Sequence, residues 1–429
     1  MIVDEIVARA QSAGRAPSLV LGVVRDGRLV HFTGAGEQPV PDPEMQYRLG
    51  SITKTMTAAL VLQLRDEGRL ALDDRLDQHL PGVPVGRVTL RQLLAHVSGL
   101  QREPDGEWWE RSTGGDVDRL LAGLSAEKLS GPPHRRYHYS NLAYGLLGAV
   151  LERITGEAWA ALIGKRVLDP LGMKRTTYSP AEPFARGYVV HPLDGTLHEE
   201  PRLDAGAMAP AGQLWSTVTD MVQWGAFLAG PAPMVDEMCT PVVLADDSWT
   251  AGHGLGPQLY RQGERVYVGH GGSMPGYLAQ IAVHRPTRTG VIAFANSYSL
   301  RGTTIKDVGL EALTAVLDSE PPAAPEPWRP APEPSAAAAE LAGPWWWMGR
   351  HYLATADGPD VVIDLVDRPG SPQRFSREGP DRWRGRSGQN EGEILAVLRA
   401  PDGTAERLDI ATFVFSRAPS HGRSAAPSS

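Results

Sequence analysis

Ser51 and Lys54 stand three residues apart where a short polar stretch, Arg48-Leu49-Gly50-Ser51-Ile52-Thr53-Lys54, runs into an apolar, Ala/Leu-rich helix. Residues at that spacing share one helix face, so their side chains can meet. A serine hydroxyl is a poor nucleophile until a base within hydrogen-bond reach takes its proton. Lysine is that base only as the neutral amine. Burial favours the neutral form, and so does the partial positive charge at a helix N-terminus. The pair therefore suits nucleophilic acyl transfer. The spacing alone is not selective. Ser125-Ala126-Glu127-Lys128 repeats it within a stretch whose apolar residues face one way, which predicts a solvated face for that copy.

Acyl transfer also needs a proton for the leaving group, a grip on the substrate and donors for the oxyanion. Tyr139-Ser140-Asn141 follows a Pro/Arg-rich loop and opens a long apolar helix reaching about Thr155. A loop entering a helix can project Tyr139 and Asn141 to one side. Ser140 or Asn141 fits a plain helix N-cap equally well. His270-Gly271-Gly272-Ser273 precedes a predicted strand, where glycines let a ligand approach the backbone. A Gly-rich turn is the alternative there.

The elements that must hold these residues come from distant parts of the chain. A helix is expected over residues 2–13, strands over 18–25 and 28–34 across the Asp26-Gly27 turn, and a helix from Ser51 to about Asp66. Residues 73–170 read as largely helical with Pro/Gly-rich breaks. Strands over 278–284 and 290–295 and a helix near 304–317 close this part. Strands at both ends and helices between predict an α/β sandwich, one sheet flanked by helices, with a helical region inserted. Residues 320–338 read as a Pro/Ala-rich linker. Short strands then predict a small antiparallel β-barrel over 339–418, among them 360–366, 393–399 and 410–415, with a disordered tail over 419–429.

Composition narrows the field. At 429 residues the chain can build two or three domains, and its net charge of -8 with no Lys/Arg run disfavours nucleic acid. Cys239 stands alone and reads as a small packed hydrophobe. Met1-Ile2-Val3-Asp4-Glu5-Ile6-Val7 has acidic residues where a signal peptide needs basic ones, and no apolar run approaches a membrane span, so a cytoplasmic location is expected. His134 and His138 lack a third ligand, so neither metal nor cofactor is expected. Gly252-His253-Gly254-Leu255-Gly256 lacks a dinucleotide loop's setting, His96 reads as a buried structural residue, and no Gly-x-Ser-x-Gly elbow is present.

The order Ser51-x-x-Lys54, Tyr139-x-Asn141, His270-Gly271-Gly272 resembles the serine β-lactamase and penicillin-binding-protein superfamily, above all its class C-like branch of D-peptidases, esterases and peptide-cyclising thioesterases. Flanking stretches extend the resemblance over about residues 1–317, including Thr89–Leu100, Asp169-Pro170-Leu171-Gly172-Met173 and Ala211–Thr217. The resemblance implies the β-lactamase/transpeptidase fold, with its first domain spanning residues 1–319. It implies that Ser51 is the acylated nucleophile, Lys54 its base and Tyr139 a proton shuttle. Asn141 would bind a substrate amide, with Gly271, Gly272 and Ser273 lining the site. The N–H groups of Ser51 and Ser273 would hold the oxyanion. His270 takes the position where β-lactamases usually carry Lys. A mostly uncharged histidine weakens carboxylate capture, which disfavours β-lactamase activity. The β-domain resembles lipocalin-like domains on some D-peptidases and cyclising thioesterases. Trp345-Trp346-Trp347 either line a surface beside the active site or fill the barrel core with one ring exposed. The expected activity is acyl transfer from a D-residue-containing peptide through peptidyl-Ser51 to water or an amine. Such an enzyme would be a peptidase or a thioesterase that releases or cyclises a carrier-bound nonribosomal peptide. A carboxylesterase and a non-catalytic peptide sensor are the alternatives.

Overall fold

The computed structural model describes residues 2–319 and 333–419. The chain divides into two compact units, Met1–Pro321 and Pro322–Ser429. The first is organised by the strand Ser18–Arg25, which is apolar on both sides. Leu19, Leu21 and Val23 enter one cluster, and Val20 and Val24 enter another. A strand buried on both faces requires helices above and below its sheet. The strand pairs antiparallel with Arg28–Gly36 and with Thr289–Ala295, so that Leu19 lies opposite Ala295. Tyr277–His284, Arg265–Met274 and three shorter strands, the last Val243–Leu244, extend an eight-stranded antiparallel sheet. Helices Ile2–Gly14 and Ile305–Ser319 cover one face through Val3, Val7, Val308 and Leu313. The other face packs on helices Thr53–Asp66 and Val218–Ala229 and on the helical region. This is the expected β-lactamase/transpeptidase sandwich.

Helix Asn141–Thr155 shows how local signals set the boundaries. The Ser140 hydroxyl accepts the Ala143 N–H at 3.0 Å, so Ser140 is the cap and Asn141 the first helical residue. Gly156 ends the helix at φ 74°, a left-handed conformation that glycine adopts without strain. Residues from Asn141 to Leu151 are buried all round, as befits a helix inside a large core.

Four expectations need correction. Ser51 lies in a 3-10 turn, Gly50–Ile52, and the α-helix begins at Thr53. The second Ser-x-x-Lys is not a solvated pair. Its helix ends at Ala122, the chain turns inward, and Lys128 is buried with its ammonium on Asp105. Burying that amine required a carboxylate partner. The end of the expected linker is helical over Ala336–Leu341, capped by Ser335, while residues 320–332 lie outside the described residues. Residues 410–415 are not one strand. Ala411 and Thr412 have φ of 51° and 75°, a turn between Ala405–Ile410 and Phe413–Ser416.

In the second unit eight strands, from Gly343–Trp347 to Phe413–Ser416, pair in sequential order and close into an antiparallel barrel. Trp345 fills its core, while Trp346 and Trp347 stay half-buried. The tail beyond Pro419 lies outside the described residues. No described helix is long and apolar enough to cross a membrane.

Gly272 abuts the segment that carries Ser51 so closely that an added Cβ would lie 1.9 Å from the Leu49 carbonyl oxygen. Gly272→Ala is expected to lower the melting temperature of the first unit and to slow labelling of Ser51 by a fluorophosphonate. Gly302→Ala is the comparison: φ is 75° there, but nothing lies within 4 Å, so only the ~1–2 kcal/mol left-handed penalty applies. Calorimetry and labelling rates on both variants check this, and equal effects would count against the close approach.

Candidate active site

The turn that carries Ser51 is set by two glycines. Gly50 has φ +54°, and a Cβ there would lie 2.6 Å from the Ser273 backbone nitrogen. With Gly272 against Leu49, the turn carrying Ser51 presses onto the strand Arg265–Met274. The backbone nitrogens of Ser51 and Ser273 therefore border one space. Lys54, on the first turn of the next helix, is fully buried. Its Nζ lies 2.9 Å from Ser51 Oγ and donates to the Ala211 carbonyl at 2.6 Å. Burial pushes its pKa down to about 7, a shift that the carboxylates of Glu110 and Glu103 only partly oppose. A large fraction of the amine is thus neutral near pH 7 and can accept the Ser51 proton.

Tyr139 lies within hydrogen-bonding reach of Ser51, and Lys54 Nζ is 5.1 Å from its ring. Burial holds the Tyr139 hydroxyl well above its ordinary value. The resting phenol is protonated and can donate a proton, whereas the Lys54 amine beside Ser51 can accept one. The His96 ring stacks on Tyr139 at 4.3 Å. His96 Nδ1 accepts the Ser140 N–H at 3.0 Å, which fixes the segment that carries Tyr139 and Asn141. His96 is the buried structural residue expected.

Asn141 is oriented by Glu103. Its amide nitrogen donates to both Glu103 oxygens, at 2.8 and 3.0 Å. Carboxylate oxygens only accept, so the amide cannot be turned the other way. Its oxygen, Oδ1, is buried and has no partner among the described residues.

His270 is buried, and its Nδ1–H donates to the Gly271 carbonyl at 2.5 Å. His253 likewise donates to the Gly254 carbonyl at 3.2 Å. Burial, with His253 and Lys54 nearby, holds His270 well below the ordinary histidine value, and burial pushes His253 down to about 4. His270 is therefore uncharged at neutral pH. Ser51, Tyr139 and His270–Ser273 line one cleft of about 590 Å³, which also takes in Tyr137, Gln258 and Tyr298. A larger groove, about 1130 Å³, lies between helices Ile2–Gly14 and Ile305–Ser319 and holds none of these groups. No group of described residues is arranged to hold a metal ion.

The structure thus gathers Ser51, Lys54, Tyr139, Asn141, His270, Gly271, Gly272 and Ser273 at one place. Sequence reasoning missed Glu103, Glu110 and His253. The first two stand in an irregular loop with no periodic signal. His253 sits in a Gly-rich stretch that was considered only as a nucleotide loop.

A family model described as β-lactamase matches residues 3–315, and one described as a domain of unknown function matches 334–417. The chain is 27% identical to β-lactamase-like protein 2 of Dictyostelium discoideum, over 68% of this chain and 58% of that protein. It therefore spans under two thirds of that relative's length. Among solved structures, a D-stereospecific amidohydrolase from Streptomyces sp. is 28% identical with a TM-score of 0.64, covering 72% of this chain and 97% of the other. SurE, one of whose crystal structures carries D-Leu, is 26% identical with a TM-score of 0.60, covering 97% of this chain and 98% of that one.

The state of Lys54 fixes a pH dependence. The neutral amine is the reactive form, so acylation of Ser51 should rise with pH through about 7 and level off above it. Stopped labelling with a fluorophosphonate across this range, read by intact mass, measures it. Lys54→Ala should abolish both the rate and the step while leaving the fold intact. A near-wild-type rate in that variant would show that Lys54 is not the base.

Proposed function

The chain belongs to the β-lactamase family, and we propose that it works there as a serine amidohydrolase and acyltransferase on peptides containing a D-residue. The observation that carries this reading is the buried Lys54 amine held between Ser51 Oγ and the Ala211 carbonyl. Ser51 attacks the substrate carbonyl and its proton passes to Lys54. The developing oxyanion lies between the N–H groups of Ser51 and Ser273, a contact type worth ~3–4 kcal/mol when one donor is lost. As the tetrahedral adduct collapses, the C–N bond breaks and the leaving amine takes the Tyr139 proton, which the Lys54 ammonium replaces. Water or an amine then attacks the peptidyl-Ser51 ester by the reverse steps.

The D-configuration rests on similarity to the Streptomyces D-stereospecific amidohydrolase over nearly that enzyme's whole length. Uncharged His270 argues against a substrate whose carboxylate must be held at the third motif, which places β-lactam hydrolysis behind amide hydrolysis. A second reading, release of a carrier-bound peptide to an internal amine, is favoured by His270 at the third motif and by the appended β-barrel, which resemble those of peptide-cyclising thioesterases.

Incubating wild type and Ser51→Ala with D- and L-configured peptidyl esters, and reading intact mass, tests the first reading. A peptidyl adduct on wild type with the D-ester, absent from Ser51→Ala, is expected. An adduct that survives the substitution would sink the mechanism. A peptidyl thioester separates the two fates: linear acid means hydrolysis, and a product lighter by one water means cyclisation. Fast turnover of short p-nitrophenyl esters with inert peptides would point instead to a carboxylesterase.

A further inference from the structure

The cleft that holds Ser51 continues past Gly271 onto the sheet face that helices Ile2–Gly14 and Ile305–Ser319 cover. Side chains alternate faces along a strand, so Leu278 and Gln280 share one face, and Gly271 lies opposite Gln280 in the ladder. Leu300, Ile305 and Tyr260 join Leu278 in the apolar cluster on that face, and all four line the cleft. This arm therefore has apolar walls, and two glutamines lie between them.

Gln258 Oε1 is satisfied. It accepts the Gly271 N–H at 3.2 Å and the Tyr260 hydroxyl. Gln280 is different. Its Nε2 donates to the Ile281 carbonyl at 2.8 Å, and a carbonyl only accepts, so the amide cannot be turned the other way. Gln280 Oε1 is thereby fixed as an acceptor, in a fully buried side chain, with no partner among the described residues. Helix Ile305–Ser319 lies over the stem of Gln280, since a Cβ on Gly309 would stand 3.0 Å from its Cγ. The free oxygen is at the Gly271 end. A Cβ on Gly271 would lie 3.3 Å from Gln280 Oε1 and 4.0 Å from Gln258 Oε1, and beyond its chain neighbours no other described residue comes within 4 Å of that point. Apolar walls around one free acceptor have a defined complement. It is an aromatic ring with a donor at its tip, the O–H of tyrosine or the indole N–H of tryptophan.

We propose that this arm is the pocket for a donor-tipped aromatic side chain of the substrate, with Gln280 Oε1 as its specificity-determining acceptor. The inference deepens the amidohydrolase reading and rests on it: the ring belongs to a residue beside the scissile carbonyl, on the acyl or the leaving side. Gly271 is two residues, about 7 Å, along its strand from Ser273, a span that an aromatic side chain covers. Phenylalanine in the pocket leaves a buried acceptor unpaired, and tyrosine does not, so the two are told apart by one hydroxyl.

The test compares kcat/KM within two pairs of substrates. N-acetyl-D-Tyr and N-acetyl-D-Phe p-nitroanilides place the ring on the acyl side, and N-acetyl-D-Ala-D-Tyr and N-acetyl-D-Ala-D-Phe place it on the leaving side. Wild type is set beside Gln280→Met, which removes the acceptor, and Gly271→Ala, which covers it with a methyl group. Ratios within a pair cancel any general change in Ser51 reactivity. Wild type is expected to favour tyrosine by about tenfold or more in one pair, which identifies the side, and both variants to bring that ratio near one. Should Gln280→Met fail to fold, Gly271→Ala decides alone. Equal rates within both pairs in wild type, or a tyrosine preference that survives the substitutions, would overturn the pocket and leave the amidohydrolase reading intact. Affinities of Ser51→Ala for the same compounds read the pocket without turnover. If no compound is turned over by wild type, but the affinity ratio is present and is lost on adding Gln280→Met, the amidohydrolase reading fails and the pocket stands.

Discussion

A single amine without a counter-ion governs this site. Lys54 is fully buried, and its contacts are a hydroxyl and a carbonyl, not a carboxylate. Burying a charged ammonium so would be prohibitive, so the group gives up its proton more readily instead. The contrast is inside the same chain. Lys128 is also buried, but it meets Asp105 and stays an ion pair. Two lysines at the same spacing from a serine thus have opposite chemistry, and the presence or absence of one carboxylate separates them.

The same constraint explains the company Lys54 keeps. His96, His253 and His270 are buried around it and Tyr139, and each is held in its neutral form. The His96–His253 ring separation is 4.7 Å and His253–His270 is 5.8 Å. A second cation among these rings would push Lys54 lower still, and a carboxylate in contact would raise it out of range. Neutral donors and acceptors shape the cleft while leaving the amine near neutrality. The two carboxylates that do act on Lys54, Glu103 and Glu110, act at a distance.

Much of this was legible in the sequence, and the reasons are local. Strand Ser18–Arg25 and helix Asn141–Thr155 carry strong apolar patterns, a Gly turn or a Ser cap, and both lie where expected. Ser51, Lys54, Tyr139 and Asn141 are legible because their motifs sit at helix starts, and His270 because two glycines follow it, although it lies inside the strand Arg265–Met274. What stayed hidden depends on pairing across long distances. Nothing near Ser125 shows that Asp105 will meet Lys128. Nothing near Glu103 shows that Asn141 will lie beside it, since the loop between has no period to read. The break at Ala411-Thr412 was hidden for another reason: neither residue type favours positive φ, and only closure of the barrel demands it.

Glycine joins these strands of the argument. A nucleophile on a tight turn and an oxyanion donor on a strand must approach closer than side chains permit. Gly50 and Gly272 remove the two Cβ atoms that would stand between them. Once backbone meets backbone there, Ser51 is fixed against Ser273 by covalent geometry, and only the lysine and tyrosine need be placed by packing. Lys54 is placed by its helix, all of whose first-turn residues are buried. Tyr139 is placed by Ser140 and His96. Each catalytic group is thus held by a different element, and the sheet and the helical region meet where all of them converge. The Gln101–Arg111 loop belongs to the same convergence, because its Glu103 turns Asn141 and its buried Trp109 packs near Gly212.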